Sequence, residues 1–301
     1  MANGTPSMSN WDEIRTAYHV ARVGTVSGAA EMLGVHHATV IRHVDALEGR
    51  LGVKLFQRHA RGYTPTEAGQ ELLTVAQATE DQFAQLAARL SGAGSAMTGE
   101  LIVTSLPGLS GLVTPVLAAL QAEHPALRVR YVTDLRLFRL EYGEAHVAIR
   151  AGARPQEPDN VVQPLVTLRS ALYAGPGYAA ANGLPETEGD LARHRFVGPE
   201  TPEARAPYHR WLAERVADEA IVFRSNDIEA QLDAVRAGVG LGFCATLAAA
   251  GDAGLVEAMP ARAEWDSPLW LVTHVDLHRS SKVQAFLAAL KEHARGVCGS
   301  A

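Results

Sequence analysis

The side chains best suited to chemistry lie between positions 36 and 61. A short run combines imidazole, hydroxyl and guanidinium groups with small and apolar neighbours, and three further cations follow it. A guanidinium donates to a guanine edge or a phosphate, and small neighbours allow a helix to approach the bases closely. The sequence therefore predicts a surface for double-stranded DNA formed by His36, His37, Ala38, Thr39, Ile41, Arg42, His43, Lys54, Arg58 and Arg61.

These residues need a rigid support, which the surrounding pattern predicts as two helices joined by a tight turn. Ser27 is the expected N-cap of the first helix, over residues 28–33, and Gly34 begins the turn. Apolar residues of the second helix share one stripe, at Val40, Val44, Leu47 and Leu51. At roughly 100° per residue this stripe is buried, and the opposite face carries Ala38, Arg42, Asp45 and Gly49.

The segment after the second helix is predicted to form a β-hairpin, or wing. Residues 51–58 read as a strand, Gly62 in the turn can adopt a positive φ, and residues 64–67 read as the return strand. Residues 42–61 contain five basic and two acidic side chains, so this edge can bind phosphates although the whole chain is acidic. Thr64 to Glu67 also form the pattern of a capping box, with Pro65 at the first helical position.

Taken together, this region resembles the DNA-binding domain of the LysR-type transcriptional regulators. The matching residues are Ala29, Ala30, Leu33, Val40, Arg42, Leu47, Glu48, Leu51, Gly52, Leu55, Phe56, Arg58, Thr66, Glu67, Ala68 and Gly69. The family often has Ser-Gln-Pro-Ala-Val-Ser-Arg where this chain has two histidines at the start of the second helix and Ile41 within it. The resemblance therefore implies DNA binding, but it does not carry over a base preference.

The helix that follows has its own apolar pattern. Its seam repeats at alternating steps of four and three residues, with Thr79 as an interruption: Leu72, Ala76, Phe83, Leu86 and Leu90. We expect a dimerisation helix over residues 67–91 and a Gly- and Ser-rich hinge over 92–99, behind a DNA-binding domain over 9–66. An amphipathic helix that packs only on its own domain is the alternative.

The second half alternates strands and helices in the order βαβαβ, which predicts a parallel, doubly wound sheet and an α/β fold with two lobes. Landmarks at residues 99–101, 146–152, 237–242 and 282–287 resemble the effector-binding domain of the same family, which is similar to periplasmic solute-binding proteins. The resemblance implies an effector domain over 100–295, with lobe I at about 100–168 and 267–295 and lobe II at about 169–266.

A ligand of such a domain binds in the cleft, at the carboxyl ends of strands. The candidate cleft residues are Ser105, Leu106, Thr133, Asp134, Arg150, Thr201, Asn226 and Phe243. Their hydroxyls and one guanidinium favour a small polar or anionic effector, although Asp134 argues against a pocket selective for anions alone. Structural alternatives also exist, since Ser105 and either Asn226 or Asp227 can cap a helix and Arg150 can pair with a carboxylate.

Composition limits the remaining functions. The 301 residues are 47% hydrophobic and carry a net charge of −6, of which −1 falls in residues 1–99 and −5 in residues 100–301. Two cysteines without a CxxC pattern argue against a zinc module, and the absence of an export signal or a long apolar run favours a cytoplasmic protein away from membranes. We expect no cofactor and no metal.

Three other classes of protein compete with a regulator. An enzyme is disfavoured because GxSxG, HExxH and Walker A motifs are missing, so no catalytic residue is assigned. A solute-binding protein would leave residues 9–90 without a role, and a redox sensor would need a reactive thiol at Cys244 or Cys298. The sequence thus predicts a ligand-responsive transcription factor, a homodimer or homotetramer on a pseudo-palindromic site, which contacts RNA polymerase if it activates.

Overall fold

The computed structural model describes residues 10–60, 62–90, 97–201 and 206–298. An N-terminal domain comes first, and its elements follow one another closely along the chain. They are α1 (Trp11–Val23), α2 (Val26–Leu33), α3 (His37–Leu51), β1 (Phe56–His59), β2 (Gly62–Pro65) and the long helix α4 (Glu67–Leu90). The two strands form an antiparallel hairpin in which Phe56 pairs with Pro65 and His59 with Gly62.

The apolar stripe of α3 is buried, as the sequence predicts. Val40, Val44 and Leu47 are fully inaccessible and pack against α1 and α2, where Ala17 and Ala29 are also fully buried. Burial of each of these valine or leucine side chains stabilises the fold by roughly 1.5–3 kcal/mol relative to its exposure. This packing fixes which face of α3 points outward.

Two helix starts differ from the sequence prediction. Thr25, not Ser27, is the N-cap of α2, and its Oγ1 accepts from the amide of Gly28 at 3.2 Å. The reason is that the C-cap of α1, Gly24, is in the left-handed region with φ of 75°, so the chain turns and begins α2 two residues earlier than predicted. Ser27 lies inside the helix.

The predicted capping box at Thr64 is also wrong. Thr64 and Pro65 pair with β1 in the hairpin and so cannot begin a helix. Thr66 takes that role, because its Oγ1 accepts from the amide of Gly69 at 3.2 Å and donates to the carbonyl of Lys54 at 2.7 Å. One hydroxyl therefore joins the start of α4 to the wing.

The first turns of α4 belong to the core of the N-terminal domain. Leu72 and Ala76 are 7% and 9% exposed and lie in the same apolar cluster as α1. Their prediction as dimerisation residues is wrong, since a side chain buried within its own chain offers no surface to a second copy. Phe83 remains 56% exposed. The side chains of Leu86 and Leu90 and the hinge residues 91–96 lie outside the described residues.

Lobe I of the C-terminal domain is a mixed sheet in the order β4-β3-β5-β12-β6. Its elements are β3 (Gly99–Ser105), α5 (Ser110–Glu123), β4 (Leu127–Thr133), β5 (Val147–Ala151), β6 (Asn160–Leu168), β12 (Ser267–His274), the short helix α10 (Val275–His278) and α11 (Ser281–Cys298). β3 runs parallel to β4 and β5, whereas β12 is antiparallel to β5 and β6. The prediction of a wholly parallel sheet is therefore wrong. The sheet is mixed because the chain returns from lobe II as β12, which runs antiparallel to its neighbours.

Lobe II is built from two small sheets. Its elements are β7 (Ser170–Ala174), α6 (Pro176–Asn182), β8 (Phe196–Pro199), α7 (Pro207–Ala213), β9 (Ile221–Ser225), α8 (Ile228–Arg236), β10 (Gly242–Ala245), α9 (Thr246–Ala249) and β11 (Val256–Met259). β10 and β11 flank β7 in antiparallel pairs, while β8 and β9 are parallel. The sequence pattern missed β6, β11 and the helices α6, α9 and α10. Within the described residues, no helix is both long and apolar enough to span a bilayer.

Gly69 provides a test of the junction between α4 and the wing. A Cβ atom at this position would lie 2.0 Å from the carbonyl oxygen of Leu55. We expect Gly69→Ala to destabilise the N-terminal domain by about 1–3 kcal/mol, because backbone atoms must move to admit the methyl group. Urea unfolding, read by amide hydrogen exchange in α1 and α4, measures the change.

The matched control is Gly49→Ala in α3, where an added Cβ meets no atom within 4 Å. In a helix interior this substitution should stabilise by about 0.5–1 kcal/mol. Equal stability of the two variants would contradict the close approach of α4 to the wing.

Candidate nucleic-acid interface and ligand cleft

The outward face of α3 begins with exposed, uncapped residues. His36, at the N-cap, makes no side-chain capping bond, and the first turn contains no acidic residue. His36, His37, Ala38 and Arg42 are exposed, and Thr39 is half-buried. The free amides and the positive end of the helix dipole suit a phosphate, and the small side chain of Ala38 permits close approach. This face can bind an anionic, grooved surface such as DNA.

Two predicted DNA-binding residues are partly withdrawn from this face. Ile41 is half-buried and packs against the core of the N-terminal domain. His43 is half-buried, and its Nδ1 lies 2.9 Å from Oγ1 of Thr16 in α1. Because Thr16 donates its proton to the carbonyl of Asp12 at 2.6 Å, its oxygen must accept from His43, whose Nδ1 therefore carries a proton.

A buried carboxylate joins α3 to the wing. Glu48, whose side chain is 2% exposed, accepts from the amides of Leu55 and Phe56 at 2.9 and 3.2 Å. It also accepts from Lys54 Nζ at 2.6 Å and Arg58 Nη2 at 3.1 Å. Burial alone would raise the pKa of Glu48, but the hydrogen bonds from Lys54 and the two amides outweigh it and hold the pKa below its usual value. Glu48 is thus ionised at neutral pH.

The three predicted wing cations differ in their surroundings. The Lys54 side chain is 72% exposed despite its contact with Glu48. Arg58 is only 36% exposed, is bonded to both Asp45 and Glu48, and lies 5.2 Å from the ring centroid of Tyr63. Arg61 lies outside the described residues. The sequence analysis did not identify Glu48 as the centre of this cluster. The available signal was a carboxylate in the sequence immediately before the basic residues of the wing.

In lobe I, the predicted cleft residues are brought to one edge of the sheet. Ser105 pairs with Thr133 of β4 and with Ile149 of β5, and all three strands end there in parallel. Ser105, Leu106, Thr133, Asp134 and Arg150 therefore lie near one another. Thr133 and Asp134 are exposed, whereas Ser105 is 3% exposed.

Several of these polar groups already have partners. The Ser105 hydroxyl donates to the Leu106 carbonyl at 2.9 Å, so it must accept from the hydroxyl of Tyr131 at 2.7 Å. Sequence reasoning missed Tyr131. Arg150 donates to Glu157 at 3.0 Å and to the Phe138 carbonyl at 3.1 Å, as its structural alternative foresaw.

Lobe II faces this edge across a narrow gap. A Cβ atom at Gly108, in the loop after β3, would lie 3.6 Å from a methyl group of Ile228 at the start of α8. Thr201 and Asn226 follow the parallel strands β8 and β9 and are exposed. Asn226 does not cap α8, since that role belongs to Asp227. Residues 202–205 lie outside the described part of this edge.

Phe243 belongs to an aromatic cluster inside lobe II. Its ring stacks on Tyr208 with centroids 4.9 Å apart and contacts Trp265 edge to face at the same distance. Trp265 is fully buried and Phe243 is half-buried. Phe243 therefore packs inside lobe II. The sequence had predicted that it contacts the ligand.

A seam between α4 and lobe I was not foreseen. Gln70 donates to the Tyr142 carbonyl at 2.6 Å and Thr74 to the Glu141 carbonyl at 3.0 Å. The Gln77 amide lies 3.3 Å from His146 Nε2. Burial, with smaller contributions from Lys282 and Arg130, lowers the pKa of His146 to about 3, so this imidazole is neutral at physiological pH.

The two thiols show no sign of activation. Cys244 is 8% exposed, and burial raises its pKa to about 11, which keeps it protonated. Burial also raises the pKa of Cys298. Among the described residues, no group of His, Cys, Asp and Glu side chains is arranged to hold a metal ion.

The fold and the site define a class of two-domain proteins in which a winged helix-turn-helix precedes a two-lobed ligand-binding domain. Two family models match the chain: the lysR family of bacterial regulatory helix-turn-helix proteins over residues 11–70, and the LysR substrate binding domain over residues 94–295. The chain belongs to the LysR family of transcriptional regulators. It is a ligand-responsive DNA-binding regulator.

Relatives and solved structures agree with this assignment. An HTH-type transcriptional repressor of Pseudomonas aeruginosa is 26% identical over 93% of this chain and 90% of its own length. The activator IlvY of Salmonella typhimurium is 27% identical over 76% of this chain and 80% of its own. Full-length LysG of Corynebacterium glutamicum with bound effector Arg shares the fold, with a TM-score of 0.68 and 20% identity over 95% of this chain and 98% of that one.

Arg42 gives the direct test of the α3 face. It is exposed and makes no hydrogen bond or ion pair within the described residues, so its donors are available to DNA. We expect Arg42→Ala to weaken operator binding by about 1–3 kcal/mol, the discrimination of one bidentate base contact. Fluorescence anisotropy on a duplex recovered from genomic selection measures the loss. Arg210→Ala, an exposed site in lobe II, is the control, and an unchanged affinity of the Arg42 variant would remove α3 from the groove.

Proposed function

We propose that α3 enters the major groove and that His36, His37, Ala38, Thr39 and Arg42 contact DNA there, with Lys54 on a phosphate. The exposed, uncapped start of α3 above a fully buried apolar stripe is the observation that carries this proposal. Helix-turn-helix proteins use the N-terminal residues of the recognition helix in this way. We propose a DNA-binding domain over residues 9–66, a linker helix over 67–91, a hinge over 92–99 and an effector domain over 100–295.

The effector is proposed to bind between the lobes, at the carboxyl ends of β3, β4 and β5. The guanidinium of Arg150 is paired with Glu157, and the Ser105 hydroxyl already donates and accepts, so neither offers a free cation or donor. Thr133, Thr201 and Asn226 remain exposed and supply neutral donors and acceptors. Of the polar and anionic effectors expected from the sequence, a polar molecule of low net charge therefore fits this edge better.

An effector can switch the protein only if it binds one arrangement of the lobes more tightly than the other. The close approach of Gly108 to Ile228 supports the proposal that the contact between the loop after β3 and the start of α8 changes when the effector binds. The seam on α4 then connects lobe I with the DNA-binding domain. We also infer that the protein acts in the cytoplasm without a catalytic step. Where it activates transcription, we infer that it contacts RNA polymerase.

The effector proposal is tested with a panel of small polar metabolites. A true effector at one hundred times its Kd should stabilise the protein by about 2.7 kcal/mol, seen as a rise in Tm, and should alter affinity for the selected DNA. Asn226→Ala should reduce the rise in Tm while leaving ligand-free DNA binding unchanged, because Asn226 lies at the cleft edge and away from α3. A ligand whose effect survives this change and the corresponding Thr133→Val change binds elsewhere.

Dimerisation is proposed to use the outer face of α1 and α4. Trp11 and Phe83 are 58% and 56% exposed, and their rings meet edge to face with centroids 5.8 Å apart. Val75, also on α4, is 52% exposed. Large apolar side chains that are exposed in one copy often form protein–protein interfaces. A two-fold dimer also doubles the contacts with a pseudo-palindromic DNA site. Leu86 and Leu90 continue the same helix.

Phe83→Asp should convert the dimer to a monomer in multi-angle light scattering, because a carboxylate would be buried against the second copy. The control is Met32→Asp on α2, which places the same charge on an exposed residue of the same domain and should leave the mass unchanged. A dimeric Phe83 variant would place the interface elsewhere.

A further inference from the structure

The outward face of α3 contains one carboxylate. Asp45 lies opposite the buried stripe, beyond Arg42, and its side chain is 50% exposed. A negative charge on a surface that meets the phosphate backbone opposes binding to DNA of any sequence. Its presence there therefore has a cost for affinity, which calls for a physical reason.

The contact that Asp45 makes supplies that reason. Arg58 Nη2 donates to Asp45 Oδ1 at 2.5 Å and to Glu48 Oε2 at 3.1 Å. Nη2 carries two N–H groups, so both are engaged. Each edge of a guanidinium that presents two parallel N–H groups includes Nη2. Arg58 consequently has no free edge for a bidentate contact with guanine or phosphate while this pair is intact.

The charges cancel at the same place. Lys54 and Arg58 supply two positive charges, and Asp45 and Glu48 supply two negative ones, all joined by ion pairs of 3.1 Å or less. Glu48 cannot move away readily, since it is buried and also holds two wing amides. Asp45 is exposed and is held only at its carboxylate, so it is the member whose removal would free Arg58 without dismantling the wing.

We propose that Asp45 is a specificity-determining residue, which holds Arg58 in an ion pair, denies it a bidentate contact with phosphate and so limits binding to non-operator DNA. The proposal rests on the proposed use of the α3 face for DNA. Sequence discrimination is a difference between two affinities, and a device that weakens the non-specific one raises the ratio. Arg42, which has no ion pair among the described residues, keeps a guanidinium available for base contact.

The test uses a random-sequence 30-base-pair duplex, so no operator needs to be known. Affinity is measured by fluorescence anisotropy over a series of KCl concentrations, for the wild-type protein and Asp45→Asn. Release of Arg58 to one phosphate should make the slope of log K against log[salt] more negative by about 1 and raise affinity for the random duplex several-fold. Glu71→Gln, which removes an exposed carboxylate from α4, is the charge-matched control and should change neither.

A second substitution shows whether Arg58 is responsible. Arg58→Ala should change the slope little in the wild-type background and should reverse most of the gain in the Asp45→Asn background. Additive effects of the two substitutions, or an unchanged slope in Asp45→Asn, overturn the proposal. If the folded wild-type protein binds neither the random duplex nor selected genomic DNA, the proposed function itself fails. If the wild-type protein binds DNA and Asp45→Asn leaves that binding unaltered, only the role of Asp45 fails.

Discussion

The proposed DNA-binding surface depends on one buried charge, the carboxylate of Glu48. An ionised group in a dry interior is costly unless all its acceptor positions are used, and Glu48 meets this condition with two amides, one ammonium and one guanidinium. The amides fix where the wing begins, and the cations fix which side chains stand beside α3. The position of the wing against α3 thus follows from satisfying the hydrogen bonds of a single side chain.

The linker helix has two faces with different partners. One face buries Leu72 and Ala76 in the N-terminal core, and another places Gln70 and Thr74 on backbone carbonyls of lobe I. Apolar burial on one side and directional hydrogen bonds on the other make the helix a shared support of both domains. A displacement of lobe I can therefore reach α1 through packed atoms, without any change in the hinge.

Local spacing was enough to predict the stripe of α3, the presence of a hairpin after it and the strands β3, β4 and β5, because these features repeat within a few residues. The hairpin strands themselves are Phe56–His59 and Gly62–Pro65, not the predicted residues 51–58 and 64–67. Both helix caps were predicted two positions away from Thr25 and Thr66, since each depends on where the preceding element ends. The partners of the site residues could not be predicted. Arg58 and Glu48 are separated by 10 residues and Gln77 and His146 by 69, and only the folded chain brings such pairs together.

The path of the chain between the lobes has a consequence for how this fold can diversify. β6 leaves lobe I and β12 returns to it as neighbouring strands, with Leu168 paired to Ser267. The whole of lobe II is thus a single insertion whose two ends are adjacent, the arrangement in which segments are most easily exchanged between proteins. Lobe II contributes half of the cleft and can be exchanged during evolution as a single segment. The sheet of lobe I, its seam on α4 and the DNA-binding domain would remain in place.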